Sequence, residues 1–137
     1  MGKAVVPIQV LSPRGRHVGA RLDALVDTGE TLSMIPSATL RRLGVRPAER
    51  IAVRLADGRV VKRSVGEARL RLDGHVVTSR VIFGQRFDAT VLGLVVLESL
   101  GLAVDPTKGK IVKGEVSLLG AVPRLSWNRR GDDARAC

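Results

Sequence analysis

The sequence predicts an all-β domain carrying one or two short helices, and three observations predict it. Hydrophobic residues make up 45% of the 137, yet only Phe83, Phe87 and Trp127 are aromatic, so the core has to be built from Val, Leu, Ile and Ala, a set that favours sheet over helical bundle. Apolar residues recur with period two: Ile51, Val53 and Leu55 alternate with Ala52 and Arg54, and Ala68, Leu70 and Leu72 with Arg69, Arg71 and Asp73. Asp57-Gly58 and Asp73-Gly74 are hairpin signals, because glycine adopts the positive φ that a tight turn demands.

The elements follow in order. Val5 to Val10 reads as a strand, and Ser12-Pro13-Arg14-Gly15 turns the chain into a second one from His17 to Val26. Thr31 to Ile35 is a third, ended by Pro36, which lacks a ladder donor but suits a helix start. Ser37 to Leu43, stopped by Gly44, is a short helix with Leu40 and Leu43 inward and Arg41 and Arg42 in solvent. The strand from Ile51 turns at Asp57-Gly58 into a more polar return strand, Arg59 to Val65. Ala68 to Leu72 is a separate half-buried strand, followed by His75 to Phe83 and a loop from Gly84 to Asp88. Ala89 to Leu92 is a short apolar strand, Gly93 admits a close neighbour, and Val95 to Leu100 is a helix stopped by Gly101. Leu102 to Val104 and Lys110 to Val112 make a last hairpin around Asp105-Pro106-Thr107-Lys108-Gly109. Val116 to Leu119 is a further candidate strand, and Pro123 to Cys137, polar, basic and aperiodic, is expected to be a mobile tail. The organisation expected is one domain over 1–114 with a C-terminal extension over 115–137.

Composition removes several function classes. The net charge of +10 invites a nucleic-acid reading, but the basic residues are spread along strands and no aromatic residues interleave with them to stack bases, so nucleic acid is not the expected partner. No apolar run approaches the roughly 18 residues that a membrane span needs, and the N-terminus lacks a charged-then-apolar leader pattern; a cytoplasmic location without membrane association is expected. Cys137 is the sole cysteine, which rules out an intrachain disulfide and a thiolate metal site. His17 and His75, far apart and each beside valine, read as strand-edge residues rather than ligands, and Arg130-Gly131-Asp132 as coincidence. No nucleophile elbow, phosphate loop or zinc-protease motif is present, and no metal or organic cofactor is expected.

The stretch around which the chain is organised is Ala24-Leu25-Val26-Asp27-Thr28-Gly29-Glu30-Thr31-Leu32-Ser33-Met34-Ile35-Pro36. An apolar strand delivers an acid to its end, followed by a hydroxyl residue and a glycine. Asp-Thr-Gly is also an ordinary turn sequence, but Ala24-Leu25-Val26 in front of it buries the acid. Leu25-Val26-Asp27-Thr28-Gly29 resembles the catalytic loop of the retropepsin-like aspartic proteases. Thr90-Val91-Leu92-Gly93-Leu94 is similar to the segment of that family that crosses behind the loop, and Leu55-Ala56-Asp57-Gly58-Arg59-Val60 stands where the family has its flap hairpin. The resemblance covers about Val5 to Val112.

The resemblance implies a closed-barrel-like acid protease fold assembled as a homodimer, acting on peptide bonds. Two carboxylates sharing one proton supply both the acid and the base such hydrolysis needs. This chain has one motif, so the second Asp27 would come from a second copy across a two-fold axis. By the same resemblance the Thr28 hydroxyl would bond across the axis, the Gly29 N–H would bond the Asp27 carboxylate, and Ala56, Asp57 and Gly58 at the hairpin tip, with Glu30, would contact substrate. Glu30 departs from the family pattern, which has a small residue there. A carboxylate beside the pair favours its doubly protonated, inactive form, and so tunes activity or abolishes it. The other reading is a catalytically silent dimer that binds peptides or a protein partner through the same cleft.

Overall fold

A strand with one apolar face must cover that face, and a sheet that curls until its edges meet covers all of them at once. In a computed structural model the described residues are 3–14, 19–116 and 118–121. They form β1 (Lys3–Leu11), β2 (Gly19–Asp27), β3 (Ser33–Pro36), α1 (Ser37–Arg42), β4 (Glu49–Arg54), β5 (Val60–Leu72), β6 (His75–Gly84), β7 (Val91–Leu92), α2 (Leu94–Ser99), β8 (Leu102–Asp105) and β9 (Lys110–Lys113). The main sheet runs β1-β2-β7-β3-β6-β5-β4, and β1 also pairs with β5, so the sheet closes on itself and leaves β4 outside the ring. The expected all-β, closed-barrel-like architecture with short helices is what the chain adopts.

The ring is held unevenly. β1 and β2 are antiparallel over nine residue pairs, Lys3↔Asp27 to Leu11↔Gly19. The closing contact is Gln9 to Leu11 against Arg71 to Arg69. Inside lie Val10, Ala24, Val26, Ile35, Leu70, Val81 and Leu92, with Leu40 from α1 and Val96 and Leu97 from α2. Of the two described aromatic residues, Phe83 joins this core and Phe87 is exposed.

Helix α1 ends as its sequence dictates. Gly44 takes φ +90, the Gly44 N–H bonds the Arg41 carbonyl at 3.0 Å and the Val45 N–H the Leu40 carbonyl at 2.9 Å. Orphan carbonyls of the last turn are satisfied, and buried Val45 packs beside buried Leu40. The turn at Asp73-Gly74 has φ of 50 and 81, the left-handed pair that a tight two-residue hairpin requires.

Two sequence expectations need correction. The strands expected at Arg59 to Val65 and Ala68 to Leu72 are one strand, β5, of 13 residues. Val65 and Gly66 are both buried, which breaks the alternation: Gly66 lies under the backbone of the segment before β4, where a Cβ would come within 2.5 Å of the Arg46 carbonyl oxygen. That break marks a change of partner. Val60 to Ser64 pair with β4 alone, Val65 pairs with both β4 and β6, and from Gly66 onward β5 has left β4 for β6. Second, Val116, Leu118 and Leu119 are exposed and outside any strand, because β8 and β9 already complete a separate two-stranded sheet and offer them no apolar face. His17, Trp127, the Arg130-Gly131-Asp132 tripeptide and the expected tail from Pro123 to Cys137 lie outside the described residues.

Candidate active site

Strand β2 buries Ala24 and Val26 completely and ends at Asp27, so its alternation hands a half-buried carboxylate to the loop that follows. The loop is a tight turn. The Glu30 N–H bonds the Asp27 carbonyl at 3.0 Å, and the Gly29 N–H donates to Asp27 Oδ1 at 2.9 Å. A Cβ on Gly29 would sit 3.2 Å from that oxygen, so any larger residue requires the carboxylate to yield by a few tenths of an ångström. The bond expected between Gly29 and the acid is present within one chain. Thr28 is half-buried in the same turn, and no hydrogen bond of its hydroxyl is found among the described residues. Glu30 is exposed.

What holds the loop is the segment expected to cross behind it. β7 lies between β2 and β3, parallel to the first (Leu25↔Val91, Val26↔Leu92) and antiparallel to the second (Met34↔Val91). The Leu25 N–H bonds the Thr90 carbonyl at 2.9 Å. Beyond β7 the chain presses its backbone on the loop: a Cβ on Gly93 would lie 2.6 Å from Leu32 C and 2.7 Å from the Thr31 carbonyl oxygen. The loop in turn caps α2. No side chain caps that helix, and its first donors go to the loop instead, Leu94 N–H to the Glu30 carbonyl at 2.7 Å and Val95 N–H to the Thr31 carbonyl at 3.1 Å. These bonds turn Thr31 and Leu32 away from the sheet, which is why β3 starts at Ser33 rather than at Thr31.

Sequence reasoning missed Ser33. It is fully buried, and its hydroxyl oxygen accepts the Gly93 N–H at 2.9 Å, tying β3 to the β7–α2 junction. The signal was a hydroxyl residue at an inward position of an otherwise apolar strand, since a buried polar group needs a partner.

The remaining predicted site residues occupy a separate element. Ala56, Asp57 and Gly58 form the exposed tip of the β4–β5 hairpin, where Gly58 has φ +91 and the Leu55 N–H bonds the Arg59 carbonyl at 2.8 Å. Both Asp57 oxygens are engaged inside the tip. Oδ1 accepts the Arg59 N–H at 2.9 Å and Oδ2 the Arg59 Nε at 2.8 Å. The Arg59 backbone N–H first, and its guanidinium second, hold the Asp57 carboxyl below its ordinary value of 3.8. Its contribution to the turn is therefore fully present above the ordinary carboxylate range and is lost as pH falls through the lowered folded value. Acidification below pH 3.8 should release the Arg59 amide, read as faster hydrogen exchange there than at the Gly74 turn, and Asp57→Asn should remove that acid dependence.

A pocket of about 550 Å³ lies away from the acid, between Gly44 to Arg46, Ala48, Glu49, Val65 to Glu67 and Arg80. None of its lining residues belongs to the Asp27 loop or the hairpin tip. Asp105 is consumed by its own turn: Oδ1 accepts the Thr107 hydroxyl at 2.6 Å and N–H at 2.9 Å, and these bonds, the hydroxyl's foremost, lower its carboxyl. Among the described residues no group of three or more His, Cys, Asp or Glu is placed to hold a metal, and no helix is long and apolar enough to cross a membrane.

Residues 14–96 match the family described as aspartyl protease, a span that runs from the end of β1 through the acid loop, the hairpin and β7 into α2. No curated protein matches the sequence. Among solved structures the chain is similar to the solution structure of Simian Foamy Virus (mac) protease, at 20% identity over 65% of this chain and 86% of that one, with a TM-score of 0.47.

Proposed function

The chain belongs to the aspartyl protease family, and from that premise we propose that it is an aspartic endopeptidase whose active centre is a pair of Asp27 side chains, one from each copy of a homodimer. The observation that carries the proposal is the setting of the acid: a single Asp-Thr-Gly at the end of a buried strand, gripped by its own Gly29 N–H and backed by Gly93 and α2. A lone carboxylate cannot be acid and base together. In the pair, the ionised Asp27 takes a proton from water as the water oxygen attacks the peptide carbonyl carbon, while the protonated Asp27 gives its proton to the carbonyl oxygen. Collapse of the tetrahedral intermediate returns that proton to the pair, the leaving nitrogen takes one from the pair, and the C–N bond breaks. Thr28 and Gly29 fix the geometry, and the Ala56 to Gly58 tip, with Glu30, contacts the peptide. No metal or organic cofactor enters this chemistry.

A second copy is supported by where apolar surface is left uncovered. Val5, 67% exposed, sits on β1 opposite Leu25, and Val95, 40% exposed, belongs to the α2 residue whose N–H bonds the loop at Thr31. Both flank the acid loop, the face that two copies must share to bring their carboxylates together. Residues 1–114 are proposed as the protease unit, with 115–137 as an appended extension, and the cytoplasm as its location.

The test is incubation of purified protein with a diverse peptide pool from acidic to neutral pH, with sedimentation equilibrium on the same sample. Cleavage by a dimer supports the reading, and a strictly monomeric protein or an inert dimer rejects it. The second reading, a non-catalytic peptide-binding dimer, draws on Glu30. It places a further carboxylate in the loop three residues after Asp27. Glu30 is exposed, so water screens its charge. Glu30→Ala, assayed across pH beside the natural chain, tests its part in cleavage. An unchanged profile removes Glu30 from the argument, and cleavage by the variant alone favours the silent-binder reading of the natural chain.

A further inference from the structure

The β4–β5 hairpin is an arm. Its outer half, Val60 to Ser64 against Arg50 to Arg54, pairs with nothing else and is exposed or half-buried along its length, so its position must be set at its base. Two ion pairs stand there, one per strand. Glu49 at the start of β4 accepts Arg80 of β6 at 2.6 Å, with side chains 56% and 47% exposed. Arg63 of β5 donates to Asp88 at 2.6 Å, with side chains 12% and 26% exposed. Water screens the first pair and largely spares the second, so the second has the stronger hold.

Asp88 is also built into its own turn. The oxygen that receives Arg63, Oδ2, accepts the Gln85 N–H at 2.7 Å, and the Asp88 N–H returns to the Gln85 carbonyl at 2.9 Å. The turn so closed contains Phe87 at φ +80, in the left-handed region that a bulky side chain enters only when its surroundings enforce it. Two residues on, the Thr90 carbonyl accepts the Leu25 N–H, and two residues beyond Leu25 stands Asp27. Arg63 itself lies two residues before Val65, where β5 joins β6 and the arm begins.

We propose that the Arg63–Asp88 ion pair locks the base of the β4–β5 arm to the segment that supports the acid strand, making Arg63 and Asp88 positioning residues for peptide binding. The inference rests on the proteolytic reading for its effect on substrate, though not for the lock itself. The acid loop is fixed by backbone bonds that do not involve the arm, so a freed arm should weaken substrate capture and leave the chemical step alone.

The experiment has two readouts on the full chain. Hydrogen exchange of the arm amides, Leu55 to Lys62, reports the lock without reference to catalysis. In Arg63→Gln and in Asp88→Asn, which keeps an acceptor for Gln85, arm exchange should rise about fivefold while barrel amides of β1 and β2 hold, and the double variant should add little to either single one. Arg63→Lys, which retains the charge, should recover most of the protection. Steady-state cleavage should show KM raised about fivefold with kcat changed less than about twofold. Unchanged arm exchange in both single variants overturns the lock. Faster arm exchange with KM unmoved overturns the positioning role. If the natural chain cleaves no peptide, the proteolytic reading and the substrate role fall together, and exchange still decides the lock.

Discussion

Asp27→Asn is expected to lower kcat/KM for peptide cleavage by about 10⁴-fold, because in the proposed homodimer one substitution removes the general acid and the general base together. Folding should be untouched. Asparagine is nearly isosteric, its side-chain oxygen still accepts the Gly29 N–H that Asp27 Oδ1 now accepts at 2.9 Å, and the strand that carries it is buried through Ala24 and Val26, not through the carboxylate. The sharper form of the experiment mixes the two proteins. If each active centre needs an Asp27 from both copies, equal amounts of wild type and Asp27→Asn exchange subunits until half of all dimers are mixed and dead. Activity then drops to half of what the wild-type share alone would give. A centre complete within one chain shows no suppression, and that result overturns the shared-dyad mechanism however active the enzyme is.

The largest stability effect is expected at Gly93. Its φ of −91 is open to any residue, so the objection to a side chain is purely one of space. A Cβ there would stand 2.6 Å from Leu32 C and 2.7 Å from the carbonyl oxygens of Leu32 and Thr31, all of them backbone and unable to swing aside. Gly93→Ala must therefore push the acid loop away from β7, straining the Leu94 and Val95 bonds to Glu30 and Thr31, at a cost of about 2–4 kcal/mol in urea unfolding. Gly44→Ala is the control. Nothing lies within 4 Å of that position, and only the positive φ of +90 objects, so about 1 kcal/mol is expected. Equal losses at the two sites would mean that the loop tolerates displacement. Peptide cleavage should fall with Gly93→Ala and survive Gly44→Ala, since only the first moves the carboxylate.

Much of this arrangement was legible because local chemistry and tertiary need coincide. Asp73-Gly74 and Asp57-Gly58 are hairpins since glycine takes the left-handed turn freely and Asp tolerates it, and the closeness expected of Gly93 follows from a glycine placed between two apolar runs. The acid loop stood out because burial of Ala24 and Val26 makes a turn there unlike a surface turn. What was not legible depends on partners distant in sequence. β5 looked like two strands because Val65 and Gly66 break the alternation, and the reason, the Arg46 carbonyl above Gly66, belongs to another element. Nothing in the local sequence singles out Ser33 or Asp88, because their partners, the Gly93 N–H and Arg63, stand on other elements. Short sequence windows carry no information about such pairings.

The narrow closure of the ring sets how this protein comes together and how it fails. Gln9 to Leu11 meet Arg71 to Arg69 at a junction bridged by the Arg71 guanidinium on Gln9 across 62 positions of chain, and contacts so distant in sequence are slow to form. Parting of that junction would open the ring. Once parted, it bares two rows of unsatisfied peptide groups that stick readily to other chains. Association through ring-opened molecules is the hazard that such an architecture carries.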